Sequence, residues 1–233
     1  MDLEGRLVLV TGGTGALGRA MVGALLEAGA RCHVPCRSLA EAERFPFRGH
    51  AGVTMAEAGN LADERAVDAA FAGAGGLWAS IHIAGGFAFG RLADAEAATL
   101  REQVDMNLMS CLLCCRAAVR AMTAGGDGGR IVNIAARPAL EWRDGASKVA
   151  YAAAKAGVAA LTAALAEEVV AQDILVNAVA PSILDTPANR AAMPKADFSR
   201  WATVEDVART ILFLASPENR VVRGAVVPVY GAA

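Results

Sequence analysis

The stretch Leu7-Val8-Leu9-Val10-Thr11-Gly12-Gly13-Thr14-Gly15-Ala16-Leu17-Gly18 constrains this chain more than any other. An apolar run of strand length feeds a glycine cluster, and Met21, Leu25 and Leu26 then recur at helical spacing. Strand, glycine-rich turn and helix, in that order, form the layout that receives a dinucleotide pyrophosphate. Glycine permits positive φ and a close backbone approach. The helix N-terminus offers free N–H groups and the positive end of its dipole to phosphate. The segment therefore predicts a phosphate-binding turn at Gly12, Thr14, Gly15, Ala16 and Leu17.

Further strands are predicted at 31–36, 53–56, 78–83, 130–134, 174–180 and 225–229. Helical stretches separate them, among them 62–72 and the long runs 100–122 and 150–170. Thr203-Val-Glu-Asp206 reads as a capping box opening a last helix. Strands alternating with helices imply an α/β fold, a single doubly wound Rossmann-type parallel sheet of about seven strands with helices on both faces. A length of 233 residues fits one such domain over 1–233 without a separate substrate domain.

A net charge of −2 leaves no electrostatic footprint for nucleic acid or an anionic membrane. No uninterrupted apolar stretch reaches the roughly 18 residues of a membrane span. Met1-Asp2-Leu3-Glu4 lacks the basic start of a signal peptide, so a cytoplasmic location is expected. The five cysteines, Cys32, Cys36, Cys111, Cys114 and Cys115, argue against a disulfide framework. Cys111-Leu-Leu-Cys114 has the look of a redox or zinc pair, but no second pair or nearby histidine completes a metal site, and small core cysteines are the expectation. His33, His50 and His82 are expected in structural or surface roles.

Arg37-Ser38 stands at the edge of the second strand, about 20 residues past the glycines, where a dinucleotide fold meets the adenine ribose. An arginine there matches the 2′-phosphate of NADPH by charge-assisted hydrogen bonds, although NADH remains possible. Tyr151 and Lys155 lie four apart on a predicted helix, hence on one face. An ammonium beside the phenol is expected to lower its pKa and equip it for proton transfer.

Taken together these residues resemble the short-chain dehydrogenase/reductase family over essentially the whole chain. Thr11-Gly12 through Gly18 resembles its glycine motif, Ala84-Gly85 the end of its Asn-Asn-Ala-Gly motif, and Tyr151-x-x-x-Lys155 its catalytic signature. The resemblance implies Asn107, Tyr151 and Lys155 as catalytic residues, with Asn107 supporting a water relay to Lys155. It implies Asn60, Leu61, Ile83, Ala84, Gly85, Pro181, Leu184 and Thr186 as further cofactor contacts. Departures are informative. Ala16 replaces a glycine, His82 and Ile83 replace two asparagines, and Asn60 replaces an adenine-contacting aspartate through an amide oxygen that still accepts. Ala136 stands where the family carries its catalytic serine, and Ser147 is the nearby hydroxyl that could substitute.

A narrower resemblance, to the dihydropteridine reductases, rests on Ala136-Arg-Pro-Ala-Leu140, on Leu184 through Arg190, and on Met193 through Trp201. It implies a quinonoid dihydropterin substrate, an electron-poor conjugated imine that needs less oxyanion stabilisation than a ketone. Phe87, Ala136, Trp142 and Tyr151 are the expected substrate contacts. Phe198 and Trp201 are expected to anchor the segment 187–200, whose length suits a lid. Alternatives are a carbonyl reductase of a small ketone or biosynthetic intermediate, and a catalytically silent NADP-binding regulator. The helices 100–122 and 150–170 match the pair that joins family members into homodimers or homotetramers.

Overall fold

The computed structural model describes residues 1–232. In chain order its elements are β1 (Leu7–Thr11), α1 (Ala16–Glu27), β2 (Arg31–Cys36), α2 (Leu39–Glu43), β3 (Val53–Glu57), α3 (Glu64–Phe71), β4 (Leu77–His82), α4 (Ala97–Val104), α5 (Ser110–Gly125) and β5 (Gly129–Ile134). There follow α6 (Arg137–Leu140), α7 (Val149–Glu168), β6 (Ile174–Pro181), β7 (Leu184–Asp185), α8 (Pro187–Ala192), β8 (Ala202–Thr203), α9 (Val204–Ala215) and β9 (Val226–Val229).

Seven strands form one parallel sheet in the order β3-β2-β1-β4-β5-β6-β9. The two strands missing from that sheet, β7 and β8, pair with each other. Both faces of the sheet are covered, so its strands are mostly apolar, and the polar side chains they bury, such as His33, His82 and Asn133, are hydrogen-bonded. On one face Leu17, Met21, Val22 and Leu25 of α1 meet Val207, Ile211 and Leu214 of α9 over Val8, Val10 and Ile81. On the other, Cys111, Cys115, Ala118 and Met122 of α5 and Val158 and Ala166 of α7 cover Leu9, Ile131 and Val176. The strand order reverses direction between β1 and β4, and ligands of open α/β sheets bind outside the carboxyl ends of the strands at such a point.

The predicted capping box at the last helix is present: Asp206 donates its N–H to the Thr203 hydroxyl at 3.1 Å. The predicted helix over 100–122 is not uniform. It runs as α4, a five-residue π-helical turn from Asp105 to Met109, and α5. Apolar periodicity continues through that turn, so the pattern alone does not reveal it. The helical segments Ala97–Gly125 and Val149–Glu168 are also long and apolar enough to cross a bilayer, although charges interrupt both. In this fold both pack on the sheet.

Candidate active site

A cavity of about 510 Å³ opens at the carboxyl ends of β1, β2 and β4. Of the predicted cofactor contacts, Gly12, Arg37, Ser38, Asn60, Leu61, Ala84 and Gly85 line it. Gly12 has φ of +66°, and a side chain there would put Cβ 2.7 Å from the Ala84 nitrogen. Gly18 has no room either, because its Cβ would run into the Gly12 carbonyl and the Gly13 backbone. These contacts hold the β1 turn against both α1 and the end of β4. Gly15 is the N-cap of α1 and offers no side-chain acceptor. Ala16 therefore replaces a glycine without closing the turn, since it is exposed at the first helical position. A glycine cradle without room for side chains, leading into an uncapped helix N-terminus, fits a dinucleotide pyrophosphate.

Other predicted contacts occupy the same edge. Ile83 donates its N–H to the Thr11 carbonyl at 3.2 Å, extending the β1–β4 pairing. Asn60 uses its amide oxygen to accept from Ala62 N–H at 3.1 Å, so a second lone pair is what remains for an adenine. Thr14 is buried and Leu17 packs in the core beneath it. Pro181 ends β6 and Leu184 lies in β7. Thr186 is the N-cap of α8, its hydroxyl accepting from Asn189 N–H at 3.2 Å.

Tyr151 and Lys155 occupy successive turns of α7, with the ammonium 5.9 Å from the phenol ring centre. Lys155 Nζ donates to the Ile134 carbonyl at 2.7 Å. Asn107 sits in the π-helical turn, a backbone irregularity that recurs at functional sites. Its amide nitrogen donates to the carbonyls of Gly86 and Gln103, both at 3.0 Å, and its oxygen accepts from Gly86 N–H at 3.2 Å. Gly85 lies between the two side chains: a Cβ there would be 2.7 Å from Asn107 Oδ1 and 3.6 Å from Lys155 Nζ. The fold thus brings Asn107 and Lys155 to either side of Gly85, which lines the cavity, with Tyr151 one helical turn before Lys155.

The electrostatics differ from expectation. Burial pushes the Tyr151 phenol up to about 12, and burial also pulls the Lys155 ammonium down to about 8. The expected lowering of Tyr151 by its lysine is not seen: burial is what shifts the phenol, and it shifts it upward. Tyr151 is held firmly protonated, which suits a proton donor more than a base.

Phe87 packs edge-on against Tyr151, ring centres 5.1 Å apart, and keeps 58% of its surface exposed. Ala136 is buried and caps α6, two residues beyond the Ile134 carbonyl that holds Lys155. Ser147 has a left-handed backbone, φ 60°, and its carbonyl accepts from Gly90 N–H. Among the described residues no hydrogen bond ties the Ser147 hydroxyl to Tyr151 or Lys155. Trp142 does not close the pocket as expected. It is 77% exposed and, with Val149, Ala152, Ala153 and Ala156, lines an outer surface of α7. The intervening α6 and 3₁₀ turn carry it there, with its indole N–H bonded to the Ala139 carbonyl. Phe198 and Trp201 do anchor the 187–200 segment, their rings tilted at 52° with centres 4.9 Å apart and Trp201 buried. Arg190 lies over Phe198 and forks onto Asp185 at 2.6 and 2.7 Å.

Histidines serve structure. His33 bonds Thr54 and the Ala70 carbonyl, and His50 accepts from Gly52 N–H. His82, distant in sequence, comes within 4.8 Å of the sulfurs of Cys111 and Cys115. Cys115, one helical turn on, is thus the partner of Cys111, rather than Cys114. His82 bonds Ser80 and Asn133, and both sulfurs contact the Asn133 amide oxygen.

Sequence reasoning missed Glu41. It lines the same cavity, accepting from the Thr14 hydroxyl and, at 2.7 Å, from Arg37 N–H. Ser38-Leu-Ala-Glu41 carries the capping-box spacing that would have disclosed helix α2.

Residues 6–197 match the short chain dehydrogenase family. The chain is 32% identical over 250 residues to the (2S)-[(R)-hydroxy(phenyl)methyl]succinyl-CoA dehydrogenase subunit BbsD of Thauera aromatica, covering 99% of this chain and 97% of that one. It superposes on a solved short chain dehydrogenase/reductase family protein with TM-score 0.90 at 29% identity, covering 99% and 98% of the two chains. The structure titled ElxO with NADP bound matches in fold, with TM-score 0.87 at 24% identity and coverage of 97% and 98%. The chain belongs to the short-chain dehydrogenase/reductase family and is an NAD(P)-dependent oxidoreductase.

Proposed function

We propose that this enzyme is an NADPH-preferring reductase of a conjugated C=N or C=O bond in a flat ring, of the quinonoid dihydropterin type. The observation that carries this reading is the single proton donor. Tyr151 is held protonated, while Ala136 supplies no hydroxyl at the family's serine position. A ketone that accepts hydride becomes a localised alkoxide and profits from a second donor. A conjugated imine spreads the incoming charge, and one donor suffices. The exposed face of Phe87 beside Tyr151 offers a stacking surface for such a ring.

The nicotinamide cofactor, when bound, supplies the hydride. Gly12, Thr14, Gly15, Ala16 and Leu17 would hold its pyrophosphate, with Ser38, Asn60, Leu61, Ile83 and Ala84 along its adenosine half. Pro181, Leu184 and Thr186 would meet its carboxamide. Arg37, exposed on the cavity rim, would attract a 2′-phosphate. Lys155, fixed by the Ile134 carbonyl, would hold the nicotinamide ribose, and Tyr151 would deliver the proton from its Oη. Asn107, locked to Gly86, would keep the inner end of the cleft open to a water leading to Lys155.

The reaction takes place in the cytoplasm, in a homodimer or homotetramer. Exposed Met109 and Leu112 on the α4–α5 segment and Val149 on α7 supply the apolar contact for that assembly. A second reading, an alcohol dehydrogenase or carbonyl reductase, draws support from the Thauera relative, whose name describes a hydroxy substrate. One screen separates the two: cofactor oxidation with chemically generated quinonoid dihydropterin beside simple ketones and cyclic imines. Faster turnover of the dihydropterin is expected. Turnover confined to ketones would reject the first reading.

A further inference from the structure

Cofactor preference in this fold is decided beside the adenine ribose, where one carboxylate of the chain stands in an unusual place. The end of β2 carries Arg37 rather than an acid. Yet Glu41, one turn into α2, reaches back into the cavity. One carboxylate oxygen accepts from the Thr14 hydroxyl in the glycine turn, and the other accepts from Arg37 N–H at 2.7 Å. An ordinary capping box would turn this glutamate onto the backbone N–H of its own N-cap, Ser38. Here the Ser38 hydroxyl accepts from Glu41 N–H at 3.3 Å, but the Glu41 carboxylate crosses to a different loop. It ties the phosphate-binding turn after β1 to the edge of β2.

The donors Glu41 engages, a buried threonine hydroxyl and a backbone amide at the rim, are those an anion at this corner would need. The cations on this side are Arg37, exposed at the rim, and Arg19, whose Nε donates to the Thr14 carbonyl at 2.7 Å. Glu41 is the one carboxylate among the residues lining the cavity itself, while Glu102 and Asp105 share the adjoining groove with Arg37 and Arg101, and Glu57 faces Cys36.

We propose that Glu41 is a specificity-determining residue whose carboxylate competes with the 2′-phosphate of NADPH for this corner and accepts the 2′-hydroxyl of NADH instead. The inference rests on the adenosine half of the cofactor lying in this cavity. Arg37 and Glu41 then act in opposition. Arg37 attracts the phosphate, and Glu41 must leave Thr14 and Arg37 N–H before the phosphate takes those donors. A like charge at such range disfavours the second anion, while a neutral ribose meets no repulsion and gains a charge-assisted acceptor. The preference of the wild-type protein is the remainder of these two effects, smaller than Arg37 alone would produce.

The test is equilibrium binding, independent of turnover, of NADPH and NADH and of the fragments 2′,5′-ADP and 5′-AMP. Glu41→Gln keeps the size and an acceptor oxygen but removes the charge. It should raise affinity for NADPH and 2′,5′-ADP at least tenfold and leave NADH and 5′-AMP unchanged or weaker. Glu41→Ala should shift the ratio in the same direction, with any loss of α2 stability read separately by thermal unfolding. Arg37→Ala should move the ratio the opposite way. If it does not, while Glu41→Gln does, the Arg37 argument for NADPH fails and the Glu41 assignment stands. A ratio unmoved in both Glu41 variants, or equal changes for phosphorylated and unphosphorylated ligands, would reduce Glu41 to a capping residue and overturn the proposal.

Discussion

Lys155 is the most consequential single residue for pH behaviour, because a nearly inaccessible ammonium is held by one backbone carbonyl. Its pKa falls from the ordinary 10.5 to about 8. Between about 8 and 10.5 the unfolded chain binds the proton that the folded chain has lost, so this group's contribution to stability rises with pH across that window. Below about 8 the folded protein carries the full cost of the buried charge. Lys155→Met should therefore stabilise the protein near neutral pH, by about 1 kcal/mol or more, while abolishing turnover. Thermal unfolding at two pH values checks both sign and window, and equal loss of stability at both would refute it. Activity of the wild type should decline as pH rises through about 8, when the ammonium proposed to hold the ribose is neutralised. Ala136 raises the complementary question of what a second donor would add. Ala136→Ser should increase ketone turnover by up to roughly 10²–10³, the effect of one oxyanion donor, with little change on a dihydropterin. Brisk wild-type ketone reduction, unaffected by the substitution, would show that water or Ser147 already fills that role.

At the scale of elements, the glycine turn and the helices that meet it set what the site can hold. Gly18→Ala would drive a methyl into the Gly12 carbonyl. It should cost about 1–3 kcal/mol of stability, as overpacking does, and weaken both cofactors alike, measurable by unfolding and by titration. The capped start of α9 is a cleaner control. Thr203→Ala should cost about 1 kcal/mol and leave cofactor affinity unchanged, because Thr203 caps α9 and is not among the residues lining the cavity. The elements themselves were largely legible. The strand at 7–10 announces itself by an apolar run into a glycine turn, and Tyr151 and Lys155 by helical spacing. Three features were not. The π-helical turn at Asn107 leaves apolar periodicity almost intact, so its registry shift is invisible in the pattern. Trp142 was expected at the pocket because of its position in the chain, but α6 and a 3₁₀ turn place it on the outer surface of α7. The Glu41 contact spans 27 residues to Thr14, and only tertiary structure brings those segments together.

For the whole molecule, the sheet order explains why residues from such distant parts of the chain form one site. Parallel strands deliver all their carboxyl ends to one edge. There the turns after β1, β2 and β4 build the cavity proposed for the cofactor, while α7 brings Lys155 beside Gly85 at its rim and Tyr151 one turn away. The strain-free fit of Gly12 against Ala84 and of Gly85 between Asn107 and Lys155 shows how closely those turns are packed. The central claim is that this edge is a reductase site in which cofactor binding and proton delivery are separable tasks, with Tyr151 responsible for the second. The most direct measurement is Tyr151→Phe, assayed for cofactor affinity by equilibrium titration and for turnover on the best substrate of the screen. The ring, and so the packing against Phe87, is kept. Turnover should fall by about 10² or more with cofactor affinity unchanged, whereas near-normal turnover in this variant would contradict the account and move the proton source elsewhere.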